Sequence, residues 1–473
     1  MSIVHLSAFA LFCVVLYFSR RNPLSWIILW EALRDPARKY FNLAPIPLET
    51  AGACLWVVVF ARLALVAQPL PALSRMTSKA GITALSGLTV FVVLGIVAGL
   101  ISGLAPLIIA LGVCSYSFPV LGFVVGVRLS MSLEEIRRFF AFYIVVNIPL
   151  ICTAFIEAFG VRWKILGGIA MDWYRLQNGV HIPLPSGVYR SPDVLGYHAA
   201  YVFCFCLLMF LTDRDVRRRR FLFVLTTAMV AVLILSARRK MQGFCGVFVT
   251  ALGAYLLIYG LRSHLMEFCR RWRTRIAAGL ILLLLASPLL LKIPQFYHAA
   301  TLIPDLPMRF AKAVYFSPRT TIMQSGLLGR GLGSATQGSY HLGDQPEGNW
   351  QEDGFSRLFM EAGPAGAAAF LIGLGAFIFL LHHELVQGSE SCRARIGGSV
   401  GLRGLSPAWT MSCGLFAVVI ANLAAALISH QHISGDPISS GFAGCLAGCC
   451  LSLSLATQVE DDLDAGREHG LEH

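Results

Sequence analysis

Residues 362–381 read AGPAGAAAFLIGLGAFIFLL, twenty positions without a charge. A helix of about 20 apolar residues matches a hydrocarbon core of about 30 Å. Runs of this kind recur: Val194–Thr212, Phe221–Ser236, Gly243–Leu261, Ile276–Leu291, Ala362–Leu381, Ala408–Ser429 and Pro437–Ala456, with Phe139–Ile156 before them. The uncharged stretch Gly81–Val127 is too long for one helix, and it divides near Gly103–Pro106, where glycine and proline break helical hydrogen bonding. In lipid every backbone polar group needs an internal partner, so the chain reads as a helical bundle. Only 14% of the 473 residues are charged, against roughly 25% in soluble domains. The first run, Ile3–Ser19, lacks a small-residue cleavage site and reads as a span, not a signal peptide.

The net charge of +12 does not point to nucleic acid, because the arginines concentrate in short loops between runs. Eleven of the 13 cysteines fall inside apolar runs, Cys269 and Cys392 excepted, and no zinc spacing occurs. Packing is their expected role. Loops 213–220 (DRDVRRRR) and 262–275 are the most basic, which predicts a cytosolic location for both. By parity 157–193, 237–242, 292–353 and 430–436 face outward, and the acidic tail after Thr457 faces inward. Arg34, Arg38 and Lys39 then fall outside although they look cytosolic, and an interfacial helix around Trp26–Leu33 is the expected resolution. The count is about twelve spans, both ends cytosolic.

Parity places the basic cluster of 237–242 (ARRKMQ) against the positive-inside rule, and Arg190 with it. Arg190, Arg238, Arg239 and Lys240 are therefore candidates for binding an anion, since guanidinium forks match phosphate oxygens. The bland alternative is interfacial anchoring by snorkelling side chains. Arg239 is preferred over Arg238, because two adjacent helical residues do not both point inward. In the long outer loop, Arg330 lies within a glycine-rich turn that lacks a Walker lysine. Glu352, Asp353, Arg357 and Glu361 precede the next run, and the four-residue spacing puts Arg357 and Glu361 on one helix face. An ion-paired helix start is the plainer reading of that group. His198, one turn into a span, is either a substrate contact or a packed histidine. His430, His432 and Asp436 suggest a metal cluster, but a short turn between spans leaves little room for one. No metal or other cofactor is expected.

GLLGRGLGSATQG followed by EDGFSRLFMEAGPAGAAAF resembles the C-terminal signature of the O-antigen ligase and Wzy-type polysaccharide polymerase superfamily. In that family a glycine-rich loop precedes a polar catalytic residue and a G-x-x-G helix start, here Gly363–Gly366. LSARRKMQG resembles its serine–arginine segment and GVYRSPDVLGYHAA its other outer arginine motif, so the likeness covers roughly residues 180–385. It implies a GT-C-like all-α membrane protein of the bacterial inner membrane with a long periplasmic loop carrying short helices. The corresponding segments are 1–185, a first bundle; 186–291, helices with the arginine motifs; 292–361, the loop; 362–456, the last helices; and 457–473, the tail. It also implies transfer of a glycan from a polyprenyl pyrophosphate carrier to an acceptor sugar hydroxyl. Arg190, Arg238, Arg239 and Lys240 would hold the pyrophosphate, and His198, Arg330, Asp353 and Arg357 would contact acceptor or loop. Ligases of the family carry histidine where this chain has Glu352, which favours a polymerase with Glu352 as base. Implied partners are membrane lipid, a chain-length regulator and a flippase, with no nucleic acid. The alternatives are an O-antigen ligase acting on lipid A-core, or a flippase, which would show internal repeats and midplane charges.

Overall fold

The computed structural model describes residues 22–41, 45–65, 74–169, 174–177, 180–261, 294–336, 353–395, 406–429 and 436–470. Its helices are α1 (Leu24–Phe41), α2 (Pro45–Leu65), α3 (Lys79–Ile101), α4 (Pro106–Leu129) and α5 (Leu133–Ala158). A hairpin of β1 (Tyr174–Gln177) and β2 (Val180–Pro183) follows, paired antiparallel with Tyr174 opposite Pro183. Then come α6 (Pro192–Thr212), α7 (Val216–Leu235), α8 (Arg239–Leu256), and the short α9 (Pro294–Ala300), α10 (Leu302–Ala311) and α11 (Ser317–Ser325). Three long helices close the bundle: α12 (Gly354–Arg395), α13 (Pro407–Ser429) and α14 (Pro437–Gly470).

Eight of these helices are long and apolar enough to cross a membrane. The chain is a multi-pass, all-α membrane protein by that measure, with fewer qualifying helices than the about twelve that hydropathy and loop charge suggested. Two expected spans, Ile3–Ser19 and Ile276–Leu291, lie outside the described residues. Helix α7 is 20 residues long, but four of its first five residues are arginines, Arg217–Arg220. The break expected near Gly103–Pro106 is there: α3 stops at Ile101 and Pro106 opens α4 at a position that needs no amide donor. Local chemistry sets other starts. Ser132 and Glu135 form a reciprocal capping box on α5, and Ser191 caps α6 ahead of Pro192.

Close packing is carried by glycines facing backbone. A methyl at Gly122 or Gly126 of α4 would strike the carbonyl of Gly441 or Cys445 on α14. Gly444 and Gly448 return the arrangement against Pro119 and Phe123. Small residues four apart let two backbones touch where lipid supplies no hydrophobic drive. The main apolar core runs through residues from Leu24 to Leu455, and a second joins Phe91 and Tyr116 to Leu332, Leu358, Ala362 and Ala367.

The bundle has two ends. The basic end carries exposed Arg138 and Arg217–Arg220, and the Arg137 guanidinium donates there to the Thr212 carbonyl. The loop end carries 157–169, 174–177, 180–193, 236–240, 294–336 and 436. Helix α1 reaches from Asn22, whose amide meets Met131 Sδ at 3.6 Å, to Lys39, which donates to the carbonyls of Gly167 and Gly187. It is therefore packed through the bundle, with Leu24, Ile27, Ile28, Glu31, Arg34 and Asp35 buried, and Trp26–Leu33 is not an interfacial helix. Its charges escape the membrane by turning inward, to partners distant in sequence.

Candidate functional site

At the loop end the segment 186–191 is fixed by side chains from below. Glu157 Oε2 accepts the amides of Ser186 (2.9 Å) and Gly187 (2.6 Å), and Thr153 Oγ1 accepts that of Val188 (3.0 Å). Lys39 holds the Gly187 carbonyl at 2.9 Å, and burial draws its ammonium pKa down to about 8 against the pull of Asp35 and Glu157. Gly187 sits at φ +57 with Thr153 Oγ1 where a Cβ would stand, a place for no other residue. The strand of backbone so pinned presents Arg190, whose amide donates to Asp35 Oδ2 at 3.0 Å.

Arg190 Nη2 reaches Asp436 Oδ2 at 3.1 Å, and Arg34 grips the same carboxylate through Nη1 (3.1 Å) and Nη2 (2.5 Å). Arg34 also meets Glu31 at 3.3 Å. Burial pushes the Asp436 carboxyl up, but the Arg34 and Arg190 charges outweigh it and hold the group below the usual carboxylate range. Asp436 also caps α14, accepting the amide of Ile438 at 3.0 Å. Beneath lies His198, fully buried, with Tyr143 Oη at 2.8 Å from Nδ1 and Glu31 at 3.8 Å from Nε2, and with Tyr189 stacked on its ring.

Three residues further, Asp193 in the first turn of α6 takes Lys240 at 2.6 Å and Arg238 at 3.0 Å. Arg239 turns the other way. Its guanidinium meets the His298 carbonyl (2.9 Å), Asp305 (2.5 Å) and the Thr301 hydroxyl. The reversal arises because Ala237 is left-handed (φ 48), so that Arg238 enters α8 extended while Arg239 begins the helix. Arg190, Arg238 and Lys240 therefore sit about the N-terminal turn of α6, and Arg239, the one preferred from sequence, binds the outer segment instead.

The glycine-rich turn is not a cradle for a ligand. The amides of Arg330 and Gly331 donate to the carbonyls of Met360 (2.7 Å) and Glu361 (3.1 Å), that of Leu332 to Gly95 (2.9 Å), and that of Gly333 to Glu361 Oε1 (3.2 Å). Gly329, Gly331 and Gly333 all lie at positive φ against neighbouring backbone. The turn is a plug between α3, α4 and α12. Gly363, at φ 65 and ψ −177, kinks α12 where it docks. Arg357 and Glu361 do share one face, at 3.0 Å, and Tyr116 donates to Glu361 at 2.6 Å. The Arg357 guanidinium lies 5.3 Å from the Tyr116 ring. Asp353 caps α12 through Ser356 (2.7 Å), and burial raises its pKa against that hydrogen bond and Lys312. Glu352, His430 and His432 lie outside the described residues.

The structure thus brings Arg190, Arg238 and Lys240 to one helix start, places Arg239, Arg330, Asp353 and Arg357 in intramolecular contacts, and packs His198 beneath Arg190. Sequence reasoning missed Glu31, Arg34, Asp35 and the pairing role of Asp436. The signal was available: Glu31, Arg34 and Asp35 recur at three- and four-residue spacing, a charged stripe on one helix face. Among the described residues no group of three or more metal-ligating side chains occurs. No protein-family model, no curated protein and no solved structure matches the chain.

Proposed function

We propose that the chain is a polysaccharide polymerase that transfers a glycan from polyprenyl pyrophosphate to a sugar hydroxyl at the loop end of the bundle. The basic end then faces the cytosol and the loop end the periplasm, in a bacterial inner membrane. The observation that supports it is the cation group at the start of α6. Arg190, Arg238 and Lys240 are each oriented by a carboxylate, yet remain 25%, 16% and 18% exposed. Such cations are preorganised for a leaving pyrophosphate, and a helix N-terminus adds favourable potential for negative charge.

In the reaction the acceptor oxygen bonds to the anomeric carbon as the carbon–oxygen bond to the pyrophosphate breaks. Attack opposite the leaving group inverts the anomeric centre. The hydroxyl proton passes to a base, for which the sequence offers Glu352. Lipid-linked repeat unit, purified chain and a gel for product length provide the test. Arg190→Ala and Glu352→Gln are each expected to lower turnover by about 10²-fold or more, with Arg190→Lys a poor rescue because the fork is lost. Normal polymer from both variants would overturn the assignment. Transfer to lipid A-core in place of polymer would make the chain a ligase, and translocation without a new glycosidic bond would make it a flippase.

A further inference from the structure

Helix α10 buries none of its residues. Ile303 is 80% exposed and Leu306 and Phe310 share its stripe, at i, i+3 and i+7. The exposure continues through Tyr315, Phe316 and Met323 to Leu327, 76% exposed, and Leu328. This segment is not one of the eight apolar spans. Apolar patches of this extent on a protein surface mark a contact with a partner or a membrane.

The segment is tied at both ends to the level where spans end. At one end Arg239, the first residue of α8, binds the His298 carbonyl, Thr301 and Asp305. At the other the amides of Arg330, Gly331 and Leu332 bind carbonyls of Met360, Glu361 and Gly95 in α12 and α3. Everything between these tethers is held across the loop end of the bundle. Its exposed charges are Arg309, Lys312 and Arg319, whereas Asp305 is taken by Arg239. Leu100, Ile101 and Leu107, where α3 ends and α4 begins, are exposed apolar side chains at the same end of the bundle. Cations interleaved with large apolar side chains fit lipid phosphates above acyl chains, the pattern of helices lying in a bilayer interface.

We infer that residues 302–328 form a monotopic element that inserts its apolar side chains into the leaflet at the loop end, with Arg309, Lys312 and Arg319 at the phosphates. The occupant is lipid, and the inference does not depend on the glycan chemistry. The full chain, reconstituted in vesicles of phosphatidylcholine and phosphatidylglycerol, tests it with a dansyl-bearing amino acid in place of Phe310 or Met323. Emission from both positions is expected to shift to the blue, to lose most of its intensity with acyl-brominated lipid, and to resist aqueous iodide. The same probe at exposed position 214 reports water. Quenching of 310 and 323 by iodide alone would overturn the inference, as would protection from both quenchers, which would mean that a second copy or another protein covers the face.

Discussion

Asp436→Asn isolates the central contact of the loop end. The carboxylate receives two hydrogen bonds from Arg34, one from Arg190 and the amide of Ile438. Asparagine keeps one acceptor oxygen for the cap, but removes the charge and turns an amide toward a guanidinium. Arg34 is 2% exposed, so water cannot replace the lost partner. Breaking a buried pair costs about 3–5 kcal/mol. Glu31 still lies 3.3 Å from Arg34 and Arg190 is partly solvated, which places the expectation at the lower end, about 3 kcal/mol. Asp436→Ala loses the cap as well, about 1 kcal/mol more. Reversible unfolding of the purified chain in mixed micelles of rising dodecyl sulfate content measures these values. The double variant with Arg34→Met should be less unstable than the sum of the two single variants, with a coupling of about 2 kcal/mol. A depressed carboxylate pKa gives stability that is present above the unfolded value, about 4, and lost as pH falls below it. The gap between parent and Asp436→Asn should accordingly narrow in acid. A variant within about 0.5 kcal/mol of the parent at neutral pH, or strict additivity with Arg34→Met, would refute the network.

Lys39, with its pKa drawn down by burial to about 8, binds fewer protons folded than unfolded between that value and about 10.4. Stability should therefore rise with pH across this window, by at most about 1.4 kcal/mol per unit, and the difference between parent and Lys39→Met unfolding curves should show that slope. Gly126→Leu should weaken the α4–α14 contact by about 1–3 kcal/mol or prevent it from forming, because the new side chain meets the Cys445 backbone; unchanged unfolding would remove the glycine-packing account.

Hydropathy made the long spans legible because lipid demands uninterrupted runs, and the glycine–proline break at 103–106 followed from backbone chemistry alone. The Arg357–Glu361 pair was legible because helical spacing fixes it locally. Helix α1 was not, since its charges lower the hydropathy that marks a span, and the partners that admit them are remote: 155 residues separate Asp35 from Arg190, and 402 separate Arg34 from Asp436. Which of Arg238 and Arg239 joins the group at the start of α6 was not legible for a smaller reason. Adjacent helical residues do diverge, as expected, but the left-handed Ala237 decided which of them faces Asp193. The packing role of the glycines of 329–333 was not legible, because positive φ serves a cradle and a tight plug equally well.

Charge is distributed unequally between the ends, and the difference in burial sorts the arginines. Those at the basic end lie in water at little cost, whereas a charge removed from water needs a partner in good geometry. At the loop end Arg34, Arg239 and Arg357 are almost wholly buried and bound to Asp436, Asp305 and Glu361, so their work is to hold helices. Arg190, Arg238 and Lys240 keep part of their surface open while Asp436 and Asp193 aim them. On the proposed reading a pyrophosphate drawn to Arg190 competes with Asp436 for that guanidinium and leaves Asp436 more firmly to Arg34. Because Arg34 belongs to α1 and Asp436 caps α14, ligand charge at the start of α6 would be felt directly by two further helices. The reach of the site then extends into the N-terminal helix, which no outer-loop motif includes.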